Sequence, residues 1–306
     1  MIIEIRWHAR AGQGAKTGAN ILAQAAIRQG KYAQSFPEFG PERRGAPVQA
    51  FNRISDEPFT IHSGVTEPDI VIVLDPKLVG NVPITDGLKA GGWIFLNAPI
   101  GAREAQERFG WQAFRVVTCD ASGLSKRTLK RDIPNVPILG ALAARAGVVA
   151  LESLQTESIS RLAKGRGTDD PVVKANLEAL ALGYEETDFA DVHTQSLPSS
   201  GTKPPLPAWY ELPVAGVIDR GGTAQVYQTG GWRLKRPELD LNVCVHCLMC
   251  WLVCPDSAIL LSGARIIGID YRHCKGCGLC ETQCPPRARA IKMVEEEALQ
   301  PAEKTP

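Results

Sequence analysis

A repeated cysteine motif near the C-terminus constrains the fold of this chain more than any other feature. The stretches CVHCLMCWLVCP and CKGCGLCETQCP both have the spacing C-x2-C-x2-C-x3-C followed by proline. Together they hold eight of the nine cysteines in 306 residues. The eight are Cys244, Cys247, Cys250, Cys254, Cys274, Cys277, Cys280 and Cys284. Four thiols in so short a run, present twice, are typical of a metal centre.

The spacing predicts two [4Fe–4S] clusters whose ligands cross between the runs. Three closely spaced thiolates can surround three iron atoms of one cluster, and a fourth, one helical turn later, points toward the neighbouring cluster. One cluster is therefore expected on the first three cysteines of the first run and on Cys284. The other is expected on the first three cysteines of the second run and on Cys254.

Other uses of these residues fit the pattern less well. Zinc usually takes two pairs of cysteines separated by a long loop, and disulfides are disfavoured in a reducing compartment. The thiols already fill both ligand sets, so His246 and His273 are expected to be surroundings of the clusters. Cys119 follows an apolar run and is expected to be buried in a core.

The bulk composition is ordinary for a globular protein. Apolar residues make up 44% and charged residues 22% of the chain, and a net charge of +1 gives no reason to expect nucleic acid or an anionic membrane. No apolar run approaches the roughly 18 residues of a membrane-spanning helix, and the N-terminus lacks the features of a secretory signal. We expect a cytoplasmic location and no membrane contact.

Three parts are predicted along the chain: an α/β domain over 1–187, an extended proline-rich linker over 188–215, and a small α+β domain over 216–306 like a bacterial two-cluster ferredoxin. Strands are predicted in MIIEIRWHA, VQAFNRIS, DIVIVL, GGWIFLNAP and FRVVTCDA, and helices in GANILAQAAIRQG, VPILGALAARAGVVAL and PVVKANLEALALGYEE. Their alternation predicts a mostly parallel sheet covered by helices. In the first strand, Ile3 and Ile5 alternate with polar residues, which is typical of one apolar face.

The segment between the cysteine runs, AILLSGARIIGID, predicts a hairpin beside the clusters. One irregularity breaks the repeat. The first run continues as PDSAI, whereas the second continues as PPRARAI, which is two residues longer before its Ala-Ile.

Two loops of the α/β domain carry candidate binding residues. RAGQGAKTG lies between a strand and a helix, where glycine turns often present N–H groups to phosphate, but a plain tight turn fits its spacing equally well. SFPEFGPERRGAPVQAFNRIS combines charge with proline and glycine. Such a loop is either functional or a charged surface turn.

These residues together resemble a known family. HARAGQGAKTGANILAQAA, followed by FPEFGPERRGAPVQAFNRIS, closely resembles the gamma subunit of 2-oxoacid:ferredoxin oxidoreductases, the family of pyruvate:ferredoxin oxidoreductase. The part from GGTAQVYQTGGWRLKRPELD through both cysteine runs resembles the delta subunit of the same enzymes. The resemblance covers most of the chain, is weakest across 190–215, and implies a fusion of gamma and delta subunits.

The resemblance implies the oxidative decarboxylation of a 2-oxoacid on thiamine diphosphate, often with coenzyme A as acyl acceptor. Electrons would leave one at a time through the clusters to an external ferredoxin. Thiamine diphosphate and Mg²⁺ would sit on separate alpha and beta chains, and no catalytic residue is expected here. The implied assembly is a dimer of heterotrimers. By the same analogy, an anionic ligand or a neighbouring subunit is expected to contact Gly12, Gly14, Lys16, Arg43 and Arg44.

Several functions stay open at this level. Pyruvate is the default substrate, while oxalate, 2-oxoisovalerate and 2-oxoglutarate are served by related assemblies. A stand-alone iron–sulfur electron carrier is an alternative from another class. An indolepyruvate oxidoreductase is disfavoured, because its ferredoxin motifs normally lie on the thiamine-binding chain.

Overall fold

Two structural units make up the chain, which divides between residues 198 and 199. They are called here the N-terminal unit and the C-terminal unit. The structure is a computed structural model, and it describes residues 1–38, 46–163, 169–193, 207–217 and 221–296. Within these ranges, no helix combines the length and the apolar character that crossing a membrane requires.

The N-terminal unit is built on a seven-stranded mixed sheet with the order β2-β3-β1-β4-β5-β6-β7. The strands are β1 (Ile2–Arg10), β2 (Tyr32–Glu38), β3 (Pro47–Ser55), β4 (Ile70–Val73), β5 (Trp93–Asn97), β6 (Arg115–Cys119) and β7 (Asp188–Ala190). The pairs β1–β4, β4–β5 and β5–β6 are parallel. The other three pairs are antiparallel.

The α/β class is therefore confirmed, but the prediction of a mostly parallel sheet is wrong. The short connection from β2 to β3 allows only an antiparallel pair, and β3 returns between β2 and β1. The sequence also hid β2, since residues 35–38 were expected in a loop. β2 lies at the edge of the sheet, which is where a strand tolerates a proline such as Pro37.

The described residues of this unit form six α-helices: α1 (Ala15–Arg28), α2 (Ala102–Phe109), α3 (Ala121–Leu129), α4 (Asn135–Ala146), α5 (Leu151–Ala163) and α6 (Pro171–Glu185). The helices α4 and α6 approach each other closely at two glycines. A Cβ atom on Gly140 would lie 2.1 Å from the Leu180 carbonyl oxygen, and one on Gly183 would lie 2.0 Å from that of Pro137. A larger side chain at either position would force the helices apart.

The strand predicted at the N-terminus is confirmed as β1, and both of its faces are buried although apolar and polar residues alternate along it. Ile5, Trp7 and Ala9 belong to the core that β1 shares with α1 and α4. The alternating Arg6 and His8 are only 6% and 2% exposed. Arg6 Nη2 donates hydrogen bonds to the carbonyl oxygens of residues 84 and 86, at 2.9 and 2.6 Å. The polar residues of β1 are thus buried with partners.

The buried His8 predicts a specific loss of stability in acid. Burial, with the nearby Arg6 charge, lowers the pKa of His8 to about 3. Arg6 Nε also donates to His8 Nε2 at 3.0 Å, which requires neutral imidazole. Below the ordinary histidine pKa of about 6.5, the unfolded chain therefore binds a proton at His8. The folded chain does not bind this proton until the pH approaches 3. Stability is fully present above about pH 6.5, and we expect it to fall by about 1.4 kcal/mol per pH unit toward pH 3.

Urea unfolding of the full chain between pH 7 and 4 measures this slope. His8→Gln should flatten it, while His62→Gln, at an exposed position, should leave it unchanged. Equal slopes in the wild type and His8→Gln would show that another group causes the acid sensitivity.

The predicted linker begins later than its composition suggests. Residues 188–190 form β7, which pairs with β6 as the edge of the sheet. The Asp188 carboxylate accepts a hydrogen bond at 2.8 Å from the backbone N–H of Ala102, at the start of α2. This contact joins the short strand β7 to the first turn of α2.

From residue 235 onward, the C-terminal unit is built from two copies of one strand–loop–helix–strand element. Its parts are β8 (Lys235–Leu239), α7 (Met249–Leu252), β9 (Ile259–Ser262), β10 (Arg265–Ile269), α8 (Leu279–Thr282) and β11 (Ile291–Glu295). β9 pairs with β10 as the predicted hairpin, and β8 pairs with β11. Its apolar core is small, with Ile259, Ile266 and Ile291 beside buried cysteines. Units of this kind usually need a metal to be stable.

Candidate metal centres

The eight cysteines of the C-terminal unit line two cavities. The first cavity is lined by Cys244, Cys247, Cys250 and Cys284. The second cavity is lined by Cys274, Cys277, Cys280 and Cys254. Each cavity therefore takes three thiols from one run and the fourth from the other. The structure brings together the two ligand sets that the spacing predicts.

The four thiols around each cavity do not converge on one point, as the ligands of a single ion would. A single zinc holds four sulfurs at about 2.3 Å. Among the described residues, no three His, Cys, Asp or Glu side chains converge as a single-ion site. The remaining walls are mostly apolar, including Leu239 and Ile291 in the first cavity and Ile259 and Ile269 in the second. All nine cysteines are free of disulfides.

The thiols need a cationic partner in order to ionise. Burial raises the pKa of Cys250 and Cys274, and it raises the pKa of Cys280 to about 12. Metal ligation requires thiolates and supplies the positive charge that offsets this cost. Four thiols that surround a cavity instead of converging on one ion, together with the apolar walls, fit a [4Fe–4S] cluster in each cavity.

Two backbone positions in each cysteine loop adopt the left-handed conformation. In the second loop they are Gly276 and Gly278, with φ of 67° and 79°. A Cβ on Gly276 would lie 2.1 Å from the Lys235 carbonyl oxygen, so this position requires glycine. The equivalent residues of the first loop are His246 and Leu248, with φ of 50° and 62°. Such angles cost energy in residues with side chains.

His246 has a structural partner that helps to hold this backbone. Its Nδ1 accepts a hydrogen bond at 3.1 Å from the backbone N–H of Ile266, which lies in β10. His273 is paired with Asp270 at 2.8 Å. Each histidine therefore has a partner outside the cysteine sets.

The irregularity after the second cysteine run is absorbed in a turn. The Ala258 N–H donates to Cys254 Sγ at 3.2 Å, and the Ala290 N–H donates to Cys284 Sγ at the same distance. The residue before each alanine has a positive φ: 50° at Ser257 and 43° at Arg289. The two extra residues thus leave the N–H···S hydrogen bond in place. Such bonds favour the thiolate.

The glycine loop of the N-terminal unit is a tight strand–helix turn. Gly12 and Gly14 have φ of 103° and 83°, and Gly14 immediately precedes α1. A Cβ on Gly14 would lie 2.6 Å from Asn135 Nδ2, so close packing against α4 already explains this glycine. Lys16 is exposed in the first turn of α1. Arg43 and Arg44 lie outside the described residues, so their predicted contact with an anionic ligand or a neighbouring subunit stays a prediction.

Sequence reasoning missed a buried ion pair next to this loop. Arg10, at the end of β1, and Asp75, which follows β4, are 4% and 5% exposed. Arg10 Nε lies 2.5 Å from Asp75 Oδ2. The signal available in the sequence was an aspartate directly after a buried strand and before a proline. The remaining cysteine, Cys119, is buried in the core as expected, and burial raises its pKa to about 12.

Comparison with known proteins identifies the N-terminal unit. The family described as pyruvate ferredoxin/flavodoxin oxidoreductase matches residues 4–186. The pyruvate/ketoisovalerate oxidoreductases common subunit gamma of Thermococcus kodakarensis is 49% identical over 154 residues, which cover 50% of this chain and 83% of that protein. The pyruvate synthase subunit PorC of Thermotoga maritima is 43% identical over 190 residues, with 61% and 96% covered.

A solved structure shows the same relationship. The crystal structure of pyruvate oxidoreductase subunit PORC from Thermotoga maritima superposes with a TM-score of 0.55 at 38% identity. The superposition covers 62% of this chain and 99% of the PORC chain. The fold and the sequence thus define an oxidoreductase subunit of the α/β class. The chain belongs to the pyruvate ferredoxin/flavodoxin oxidoreductase family, and the matched region ends before the cysteine-rich unit.

Proposed function

We propose that this chain is the electron-transfer subunit of a 2-oxoacid:ferredoxin oxidoreductase, with a gamma-type unit fused to a delta-type unit. One observation carries the proposal: a unit with two cavities, each lined by four thiols, continues a chain that belongs to this oxidoreductase family. Pyruvate is the proposed substrate, since relatives over residues of the N-terminal unit are named for pyruvate or for pyruvate and ketoisovalerate.

The chemistry of the substrate is proposed to take place on partner chains. Thiamine diphosphate with Mg²⁺ would be held by alpha and beta subunits, in a dimer of heterotrimers. Coenzyme A, or a neighbouring subunit, is the proposed contact of Gly12, Gly14, Lys16, Arg43 and Arg44. This chain would then act at the exit of the electrons, in the cytoplasm.

The residues of this chain have three tasks in the proposed function. Two [4Fe–4S] clusters, when bound, would accept and release single electrons, which divides a two-electron oxidation into one-electron steps. The eight cysteines hold them in two ligand sets, and the crossed Cys254 and Cys284 tie the two loops together. Apolar walls such as Ile259 and Ile291 exclude water. The N–H groups of Ala258 and Ala290 donate to the crossed sulfurs, which stabilises negative charge there.

Native purification tests this proposal. The tagged chain should bring down thiamine-binding chains, and the complex should show the electron paramagnetic resonance of two reduced clusters. It should reduce methyl viologen with pyruvate and coenzyme A. A panel of 2-oxoacids and oxalate, each with and without coenzyme A, would identify the substrate. A monomer that carries iron and sulfide but binds no other chain would support a stand-alone electron carrier instead.

A further inference from the structure

The two cysteine loops are covered very differently by the rest of the unit. The second loop is packed beneath residues 229–233. The Gly230 N–H donates to the Arg272 carbonyl oxygen at 2.7 Å, and the Thr229 hydroxyl donates to that of His273 at 2.6 Å. A Cβ on Gly230 would lie 2.2 Å from the Tyr271 carbonyl oxygen. The chain itself therefore closes this side.

The charged residue of the second loop is also held in place. Lys275 Nζ lies 3.0 Å from Asp256 Oδ1 and 4.9 Å from the centre of the Trp232 ring. Lys275 lines the second cavity, so this residue of the cavity wall already has two partners in the unit.

The first loop exposes apolar side chains at the matching positions. Val243 and Val245, which correspond to His273 and Lys275 in the repeat, are 46% and 47% exposed. Val245 also lines the first cavity. Val245 is therefore an exposed apolar residue in the wall of the first cavity. Exposed apolar residues at such a place are typical of an interaction surface when polar groups surround them.

Two arginines stand beside the same cavity. Pro285, Ala288 and Ala290 line the first cavity, and the exposed Arg287 and Arg289 alternate with them along the inserted turn. No ion pair joins either arginine to another described residue of the range 221–296. Lys275, by contrast, pairs with Asp256 at 3.0 Å. The matching turn beside the second cavity has Asp256 and Ser257 instead. The two-residue insertion therefore adds positive charge next to one cavity alone.

We propose that Val243, Val245, Arg287 and Arg289 form the surface where the external electron carrier docks, here called the loop-1 face. The carrier that fits is a small protein with an acidic surface around its redox centre. The arginines would attract it, and the valines would form the dry centre of a small, transient contact. At each encounter the carrier gains one electron and this chain loses one, so two encounters remove the two electrons of one 2-oxoacid oxidation. This inference rests on the proposed function.

Charge reversal in the assembled complex tests the loop-1 face. For Arg287→Glu with Arg289→Glu, we expect the KM for a purified acidic [4Fe–4S] ferredoxin to rise about tenfold. Its dependence on ionic strength should weaken, because fewer charges attract the carrier. Methyl viologen, which has no protein surface to recognise, should still be reduced near the wild-type rate. The cluster signals in electron paramagnetic resonance should be unchanged.

A matched control reverses two lysines on another part of the same unit. Lys235→Glu with Lys292→Glu makes the same change in net charge on β8 and β11, and it should leave the KM for ferredoxin near the wild-type value. A second variant shortens the inserted turn by replacing residues 286–289 with Asp-Ser, the sequence of the matching turn. It removes both arginines and keeps Ala290, and it should raise the KM as the double reversal does.

The outcomes separate the two levels of the proposal. If the wild-type complex reduces neither ferredoxin nor viologen with any 2-oxoacid, the proposed function is wrong. If it reduces both, and the arginine variants match the lysine control, the loop-1 face is wrong while the function stands. Loss of the partner chains from the arginine variants would show that this face is a subunit contact, which also overturns the proposal.

Discussion

Replacing Cys247 or Cys284 with serine is expected to impair the same cluster, although 37 positions of sequence separate them. Both thiols line the first cavity. Each variant should lose or convert one of two clusters, so at most about half of the bound iron should disappear. Ferredoxin reduction should fall severely, because one step of the electron path is broken. Substrate binding on the partner chains should persist. Iron and sulfide analysis and electron paramagnetic resonance of the reduced complex measure the loss.

The second cavity offers the matched comparison. Cys254→Ser and Cys277→Ser should share a different spectroscopic change, since both thiols line that cavity. Cys119→Ala, in the core of the other unit, should leave the iron content unchanged. A Cys284→Ser spectrum that matched Cys277→Ser would refute the crossed assignment. A Cys247→Ser complex that reduced ferredoxin as fast as the wild type would refute the relay.

Asp75→Ala is expected to cause the largest loss of folding stability in the N-terminal unit. Asp75 Oδ2 pairs with Arg10 Nε at 2.5 Å, and its Oδ1 accepts from the Lys77 N–H at 2.9 Å. Removing the carboxylate leaves the Arg10 charge buried without its carboxylate, which costs about 3 to 5 kcal/mol. The melting temperature should fall on the order of 10 °C. Urea and thermal unfolding of the full chain, followed by circular dichroism, measure both quantities.

An exposed ion pair of similar length provides the control. Lys89 Nζ lies 2.7 Å from Asp69 Oδ1, with the lysine side chain 47% exposed. Lys89→Ala should cost less than about 1 kcal/mol, because water already solvates this pair. If Asp75→Ala were as mild as Lys89→Ala, Arg10 would have to reach water or another acceptor in the variant.

The sequence predicted the local elements of the N-terminal unit well and their arrangement less well. DIVIVL and RVVTC became β4 and β6 because continuous runs of β-branched residues are typical of strands buried on both faces. The order and direction of the strands depend on contacts between distant segments. This is why the antiparallel β3 and the edge strands β2 and β7 were not predicted. The burial of Arg6 was missed for the same reason, since Arg6 Nη2 donates to the carbonyl oxygens of residues 84 and 86 in a distant segment.

The sequence by itself was enough to predict which cysteines of the C-terminal unit line the same cavity. Thiol type and spacing are local properties, and together with the length of the repeat they are enough to indicate two four-thiol sites and their crossed ligands. Family membership could likewise be inferred from motifs in the N-terminal unit.

Only the tertiary structure decided how the two cysteine loops differ. Residues 229–233 pack over the second loop, and the inserted turn carries Arg287 and Arg289 beside the first cavity. In the sequence this insertion was an unexplained break in a repeat. The insertion lies beside the first cavity because Cys284, which precedes it, crosses to the thiols of the first loop. Packing between distant segments decides which side of such a site is exposed to a partner. The spacing of the cysteines along the chain gives no information about this packing.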